Sequence, residues 1–438
     1  MSARSGRTRL ANGLIIAAPR SGSGKTLVTL GLLAALRRRG IAVAPAKTGP
    51  DYIDRAILAR TAGTEAINLD PWAMPPAQLR SLAADHASGA DLLLVEGVMG
   101  LFDGAADGTG STGDLAATLG LPIILVVDAD KQGQSIAAQV HGFASFRPDV
   151  EIAGIIINRV ASTRHERMLL AALEPLRIPV LGALPRRDAL HLPERHLGLV
   201  MPGEVAAFAA VVDAAADATE QFISVDMLLA LSAQTSISSP PFAGISPLGQ
   251  RISIARDDAF CFLYPHLLTA WQQQGAELRF FSPLADEYAE MDSDAVFMPG
   301  GYPELHGPKL ALASGFARSM HAAQARGALI YGECGGYMTL GQSLTDATGA
   351  THKMLGLLPI STDISRPKRT LGYRRLTHAS PLPWPDRLRG HEFHYSAGAG
   401  ATPLFSATDA LGTALPPMGA VEGRVMGSYA HVIAGEEG

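Results

Sequence analysis

Apolar residues fall in short, nearly unbroken blocks through the first half of the chain: Leu14 to Ala18, Ile41 to Lys47, Asp91 to Glu96, Pro122 to Asp128, Ile152 to Asn158 and Val180 to Pro185. Blocks of this length with no polar alternation predict strands buried on both faces. Helical stretches of about 10 to 20 residues, such as Leu27 to Arg38, lie between them, and that alternation predicts a doubly wound, mostly parallel sheet. The pattern lapses from about Ser224 to Gln250, where Ser232, Ser236, Ser238, Ser239, Pro240, Pro241, Gly244, Pro247 and Gly249 crowd together, which predicts a linker. A strand at Arg251 to Ala255 restarts it, and the apolar run continues through Phe260 to Leu263. The expected organisation is an α/β domain over 1–223, a linker over 224–250 and a second α/β domain over 251–438.

Composition narrows the class. With 438 residues the chain is too long for one ordinary core. Hydrophobic residues make up 47%, charged residues 18%, and the net charge is −5, which argues against nucleic acid as a partner. Two cysteines, Cys261 and Cys334, give no disulfide framework and fit a reducing compartment. Arg4, Arg7 and Arg9 resemble the charged start of a signal peptide, but the apolar run after them leads straight into Pro19 and a glycine-rich turn. No run reaches the roughly 18 apolar residues of a membrane span. A soluble, cytoplasmic protein is expected, and a homodimer is compatible with this sequence.

The turn is Pro19-Arg20-Ser21-Gly22-Ser23-Gly24-Lys25-Thr26, between the first strand and the first helix. Strand, Gly/Ser turn, Gly-Lys-Thr and helix are the context of a phosphate-binding loop: backbone N–H groups and the helix N-terminus receive phosphate oxygens, Lys25 reaches the β- and γ-phosphates, and Thr26 ligates Mg2+. ATP or GTP is the expected ligand. Asp51 and Asp54 follow the second strand, where open α/β sheets bind ligands; they either cap the next helix or, for Asp51, ligate magnesium. Glu96 ends a buried strand ahead of a glycine-rich loop, the position of a second metal ligand. The run from Gly97 to Gly113 matches no calcium loop, and Asn158, the polar end of an apolar strand, either reads an adenine edge or forms a turn.

In the second half, Ala328-Leu329-Ile330-Tyr331-Gly332-Glu333-Cys334-Gly335-Gly336-Tyr337 reads as strand, tight turn and helix with Cys334 at the turn. This is a nucleophile elbow, where small neighbours are needed and a helix N-terminus favours the thiolate. Cys261, among aromatic residues, reads as a buried structural cysteine.

Three stretches resemble the amidoligase domain of the cobyrinate a,c-diamide synthases, a relative of dethiobiotin synthetase: Ser21 to Thr26, Lys47 to Asp54 and Val95 to Gly104. The resemblance implies ATP as cosubstrate, Mg2+ held by Thr26, Asp51 and Glu96, and Lys47 steadying the transferring phosphate. It implies Ser21, Gly22, Ser23, Gly24, Lys25, Thr26, Asn158 and Pro185 around the nucleotide, and Tyr52, Asp54 and Asp103 facing the carboxylate substrate. Where that family usually has Gly-Thr, this chain has Ala18-Pro19. The elbow resembles the signature of class I glutamine amidotransferases at Gly332, Cys334 and Gly336, with Met338 in place of the usual Gln. By that resemblance Gly300 and Gly301, in Met298 to Glu304, supply oxyanion donors, and His431 is the base. The class often places Glu two residues after this His; here Ile433 stands there, which predicts a slow or partner-dependent glutaminase. His391 to Ser396 resembles a signature of corrin amidases and has either a part in the reaction or a structural role joining the two domains.

Together these resemblances imply glutamine- and ATP-dependent amidation of the a and c acetates of a corrin, cobyrinate or cobalt-free hydrogenobyrinate. An acyl phosphate must be kept from water, so a closed path for ammonia between the sites is expected. Another tetrapyrrole, such as nickel-sirohydrochlorin, or a non-catalytic P-loop switch with a degenerate amidotransferase domain, are the alternatives.

Overall fold

The first sheet grows from apolar blocks that leave no face polar. In the computed structural model, which describes residues 12–186, 204–234, 242–396 and 402–436, these six blocks are β1 (Asn12–Ala17), β2 (Val43–Thr48), β4 (Leu92–Glu96), β5 (Ile123–Asp128), β6 (Ile152–Val160) and β7 (Val180–Pro185), joined by a short strand that the pattern does not single out, β3 (Ile67–Leu69). They lie in the order β3-β2-β4-β1-β5-β6-β7, every neighbouring pair parallel. Helices α1 (Lys25–Arg38), α2 (Tyr52–Ala62), α3 (Pro76–Ala87), α4 (Thr112–Leu119), α5 (Ser135–Phe146) and α6 (Thr163–Leu173) form the crossovers, and α7 (Glu204–Phe222) follows β7. Leu14, Ile16, Leu30, Leu33, Leu94, Ile124 and Ile156 form the centre of the core. The fold class is the expected doubly wound α/β.

The chain divides into two compact units, Met1–Gly104 with Gly108–Phe242, and Ala105–Asp107 with Ala243–Gly438. The stretch expected to be a linker is therefore corrected. Ser224 caps α8 (Val225–Leu231) by accepting from the Met227 N–H, and Val225 and Leu228 are buried in the first core. The strand β8 (Ala233–Gln234) then pairs antiparallel with β1. From Ala243 on, Ile245 and Leu248 are buried and the Ser246 carbonyl accepts from the Trp384 indole. Polar composition concealed these few apolar anchors. Ser236 to Pro241, like Arg4, Arg7 and Arg9, lie outside the described residues.

The second unit opens with β9 (Arg251–Ala255), α9 (Pro265–Gln273), β10 (Glu277–Phe281), β11 (Ala295–Met298), α10 (Gly307–Leu312), α11 (Ser314–Ala325), β12 (Leu329–Glu333) and α12 (Gly335–Leu340). A small sheet follows, β13 (Ser343–Thr345), β14 (Thr351–Lys353) and β15 (Ser361–Asp363). The chain continues through β16 (Thr370–Thr377), β17 (Arg387–His394), β18 (Phe405–Thr408), β19 (Ala414–Met418), β20 (Ala420–Glu422), β21 (Val425–Ser428) and β22 (Ala430–Gly435). Strands β10-β9-β11-β12-β21-β20 make a six-stranded sheet, parallel except for β20. Strands β19-β18-β16-β17-β22 make a separate antiparallel sheet. The α/β class holds, and the antiparallel sheet is an addition to it. Cys261 is exposed and outside any strand, which corrects the buried reading: Phe260 and Phe262 flank it, and the Phe262 N–H turns to the Gly300 carbonyl at 2.9 Å.

Candidate active site

The phosphate loop begins where β1 ends. Gly22 and Gly24 have φ of 79° and 88°, the left-handed region in which a side chain strains the backbone. Gly24 has a second constraint, since an added Cβ would lie 2.1 Å from Asn158 Nδ2. That amide donates to the Ser23 carbonyl at 2.9 Å, so in this structure Asn158 braces the loop. The loop's entry is clasped by the segment after β4: Leu101 N–H donates to Ala18 O at 2.8 Å, and Asp103 Oδ2 accepts from Gly100 N–H at 3.0 Å. Ser21 and Gly22 are exposed, Ser23 is buried, and Pro185 ends β7. Asn158 and Pro185, like Glu96 and Lys47, sit at the C-terminal ends of parallel strands, where this sheet type binds ligands.

A dense charge cluster lies beneath the loop. Thr26 Oγ1 donates to Glu96 Oε1 at 2.7 Å, and Lys47 Nζ reaches the same oxygen at 3.1 Å and Asp54 Oδ2 at 2.8 Å. Burial opposes the charge on Lys47, but Glu96, Asp54 and Asp51 outweigh it and hold this ammonium well above its ordinary range. Lys25 has the opposite shift: burial, then the neighbouring Lys47, lowers it against the pull of Glu96, Asp54 and Asp51. Asp51 caps α2, its Oδ1 accepting from the N–H groups of Ile53 and Asp54, and Tyr52 follows, buried, as the first residue of that helix. The capping reading of Asp51 is thus satisfied, while Asp54 faces Lys47.

The donor set suits a magnesium ion held mainly by phosphate and water. Glu96 is fully buried, and its Oε2 has no hydrogen-bond partner among the described residues, an orphan that a cation would satisfy. Among the described residues no group of three His, Cys, Asp or Glu side chains is arranged to hold a metal alone. One or two carboxylates plus a hydroxyl is the usual protein share for Mg2+ at a nucleotide. Asp128, at the tip of β5, joins Arg20 at 3.3 Å and Arg159 at 2.8 Å. Sequence reasoning passed over it, although an acid ending a buried strand is the signal that singled out Glu96.

In the second unit the elbow forms as the spacing predicts. Cys334, between β12 and α12, has φ 46° and ψ −108°, a conformation that persists only when its surroundings impose it. They do so by close approach. A Cβ on Gly336 would lie 1.9 Å from Met298 O, and one on Gly332 2.7 Å from Leu340 Cδ1. The Cys334 N–H is taken by Ser428 O at 2.8 Å. The next amide, that of Gly335, opens the helix in the position from which an elbow supplies an oxyanion donor. An added Cβ on Gly335 would sit 3.0 Å from Gly301 N, and one on Gly300 2.3 Å from His431 Cε1 and 3.2 Å from Cys334 Cβ. Gly300 and Gly301 thus border the Cys–His pair.

His431 lies on β22, opposite His391 of β17. Burial would lower it, but its hydrogen bond to Cys334 and the Glu333 carboxylate raise it to about 9. Glu333 Oε2 stands 3.7 Å from His431 Nδ1. His391 is pushed down to about 3 by burial first, then by His431 and Arg374, so it stays neutral beside the pair. The remainder of this motif backs the site: Glu392 accepts from Arg374 Nε at 2.6 Å, His394 Nε2 lies 2.8 Å from Glu392 Oε1, and the His394 ring stacks on Tyr429 at 3.9 Å. The Phe393 carbonyl lies 3.9 Å from Cys334 Sγ.

Two family models divide the sequence in the same way. Residues 14–200 match the CobQ/CobB/MinD/ParA nucleotide binding domain, and residues 251–438 match the CobB/CobQ-like glutamine amidotransferase domain. A hydrogenobyrinate a,c-diamide synthase of Brucella anthropi is 53% identical over 432 residues, covering 96% of this chain and 98% of the relative. The chain belongs to the hydrogenobyrinate a,c-diamide synthase family. Members from Rhizobium meliloti and Mesorhizobium japonicum are 51% and 47% identical, over 96% and 97% of this chain and 99% of each relative. For this family member the structure gathers Lys25, Thr26, Lys47, Asp51, Asp54 and Glu96 into one site, and Cys334, His431, Gly300 and Gly301 into another. Asp103 is exposed on the segment that clasps the phosphate loop. Glu333 is not marked by the pattern around His431, yet it too is an acid ending a buried strand. Among the described residues no helix is long and apolar enough to cross a membrane.

Proposed function

We propose that this chain is a glutamine-dependent amide ligase that converts the a and c acetate carboxylates of hydrogenobyrinate to amides, with ATP as the activating cosubstrate. The observation that carries the proposal is the pairing, in one chain, of a phosphate loop above Lys47 and Glu96 with a strained cysteine elbow beside a buried histidine. The ring is assigned from the relatives, which carry the name of that substrate over nearly their whole length.

The chemistry follows from the residues. His431 takes the Cys334 proton, and the sulfur attacks the side-chain amide carbon of glutamine. The developing oxyanion is received by the backbone N–H groups around Gly300, Gly301 and Gly335, each such donor worth roughly 3 kcal/mol in related chemistry. His431 returns its proton to the departing nitrogen, leaving a thioester that water hydrolyses to glutamate. In the nucleotide domain the phosphate loop holds the ATP tail, while Lys47 offers a fixed positive charge where the γ-phosphoryl group leaves ADP for the substrate carboxylate. Thr26, Asp51 and Glu96 are the residues that would hold Mg2+, which would neutralise phosphate charge during that transfer. Tyr52, Asp54 and Asp103 are assigned to the carboxylate substrate, and Asn158 and Pro185 to the nucleoside side. Ammonia then displaces phosphate from the acyl phosphate, forming the amide.

The test is a Cys334→Ala variant given ATP, Mg2+ and hydrogenobyrinate. Release of ADP coupled to amide formation should vanish with glutamine and return with ammonium chloride. Loss with both nitrogen sources, in a variant that still binds nucleotide, would contradict the division of labour.

A further inference from the structure

Three clusters stand outside the roles assigned above: the aromatic group Phe102, Phe143 and Phe146, the Asp128 pairs with Arg20 and Arg159, and the carboxylate beneath His431. The third is fixed on every side. We infer that Glu333 is the positioning residue of the glutaminase, supplying from the strand before the nucleophile the carboxylate that this amidotransferase class often places after the histidine. This rests on the amidotransferase reading of Cys334 and His431.

The geometry gives the carboxylate one orientation. Its Oε1 accepts two hydrogen bonds, from the Val432 N–H at 3.0 Å and from the Tyr331 hydroxyl at 3.2 Å. The first ties Glu333 to the residue next to His431 in β22. With Oε1 held, Oε2 is directed to His431 Nδ1 at 3.7 Å, close enough for an ion pair to an imidazolium and for a tightened contact once substrate is bound. Glu333 is 1% exposed and His431 2%, so water does not screen the pair. The usual position is closed: Ile433 is fully buried, and its carbonyl is engaged by His266 Nε2 at 2.9 Å. An acid there would have to enter that fully buried position.

The consequence is a fixed ring and a favoured imidazolium, the form that must donate a proton to the leaving ammonia. The groups that face His431 are Cys334 and Glu333 on the elbow side, His391 from β17, and the apolar ring of Phe262 at 6.2 Å. His391 stays neutral, so besides the sulfur itself Glu333 is the facing group that raises the ring's proton affinity.

The experiment compares wild type with Glu333→Gln and Glu333→Asp in the full chain, reading glutaminase kcat and KM against pH beside ammonia-dependent amidation. Gln keeps an acceptor for Val432 and Tyr331 and removes only the charge. The expected result is a kcat for glutamine lower by about 10- to 100-fold with KM nearly unchanged, and an alkaline limb moved toward neutral pH, because removing a negative charge lowers the proton affinity of His431. Asp should recover part of the rate and the position of that limb, and ammonia-dependent amidation should be unaffected in both. A Gln variant with wild-type kcat and pH profile overturns the proposal, as does an Asp variant no better than Gln while ammonia-dependent activity is intact. A Cys334→Ala control that keeps glutaminase activity would instead defeat the amidotransferase reading beneath it.

Discussion

Replacing Lys47 by Met tests the nucleotide site through the charges it would strand. Lys47 is 2% exposed and Glu96 fully buried, with Nζ to Oε1 at 3.1 Å. Without the ammonium, Glu96 keeps one short bond from Thr26 and an orphaned second oxygen. Removing one partner of a buried pair typically costs about 3–5 kcal/mol, because the other charge remains desolvated. Asp54, at 28% exposed, can turn to water and adds little. At 1.4 kcal/mol per tenfold, opening of β2 and β4 should become roughly 100-fold or more easier. Hydrogen exchange on peptides spanning these strands reads that opening locally. Adding Glu96→Gln should return most of the loss, since a neutral amide there leaves about 1 kcal/mol of unmet polarity. Unchanged exchange in Lys47→Met, or losses that simply add in the double variant, would refute the pairing. Ammonia-dependent amidation should be absent in both variants.

Other outcomes follow from single contacts. Gly336→Ala puts a methyl carbon 1.9 Å from Met298 O, a backbone atom; a cost of roughly 1–3 kcal/mol is expected, with glutaminase activity lost and ammonia-dependent amidation kept. Gly24→Ala meets Asn158 Nδ2 at 2.1 Å and strains φ, so nucleotide binding measured by calorimetry should weaken by at least about tenfold. Burial raises Glu304 to about 7 from 4.5. A carboxyl group raised on folding contributes stability that is present below about pH 4.5 and lost as pH rises through 7. Glu304→Gln should therefore remove this loss, making the variant more stable than wild type above pH 7 by up to about 3 kcal/mol in denaturant titrations.

Much of this was legible in the sequence because the signals are local. A phosphate loop needs glycines at particular backbone angles, and an elbow needs small residues around one nucleophile; Gly22, Gly24, Gly332 and Gly336 carry those requirements within a few positions of Lys25 and Cys334. What escaped was set by distant partners. The antiparallel sheet that places His391 opposite His431 joins strands separated by tens of residues, and no local pattern announces their register. Val225 and Leu228 looked like linker because Ser, Pro and Gly crowd the stretch that follows them, although Ser224 caps their helix. Glu333 escaped for a different reason: the usual place for such a carboxylate is that of Ile433, on another strand.

The proposed activity turns two acetates of a corrin into amides. Its most direct test is a mass-spectrometric count of amide groups after incubation with ATP, Mg2+ and glutamine labelled at the amide nitrogen, in parallel with hydrogenobyrinate and with cobyrinate. Two labelled amides on hydrogenobyrinate are predicted. No labelled amide on either ring, with ammonium chloride supplying none as well, would contradict it.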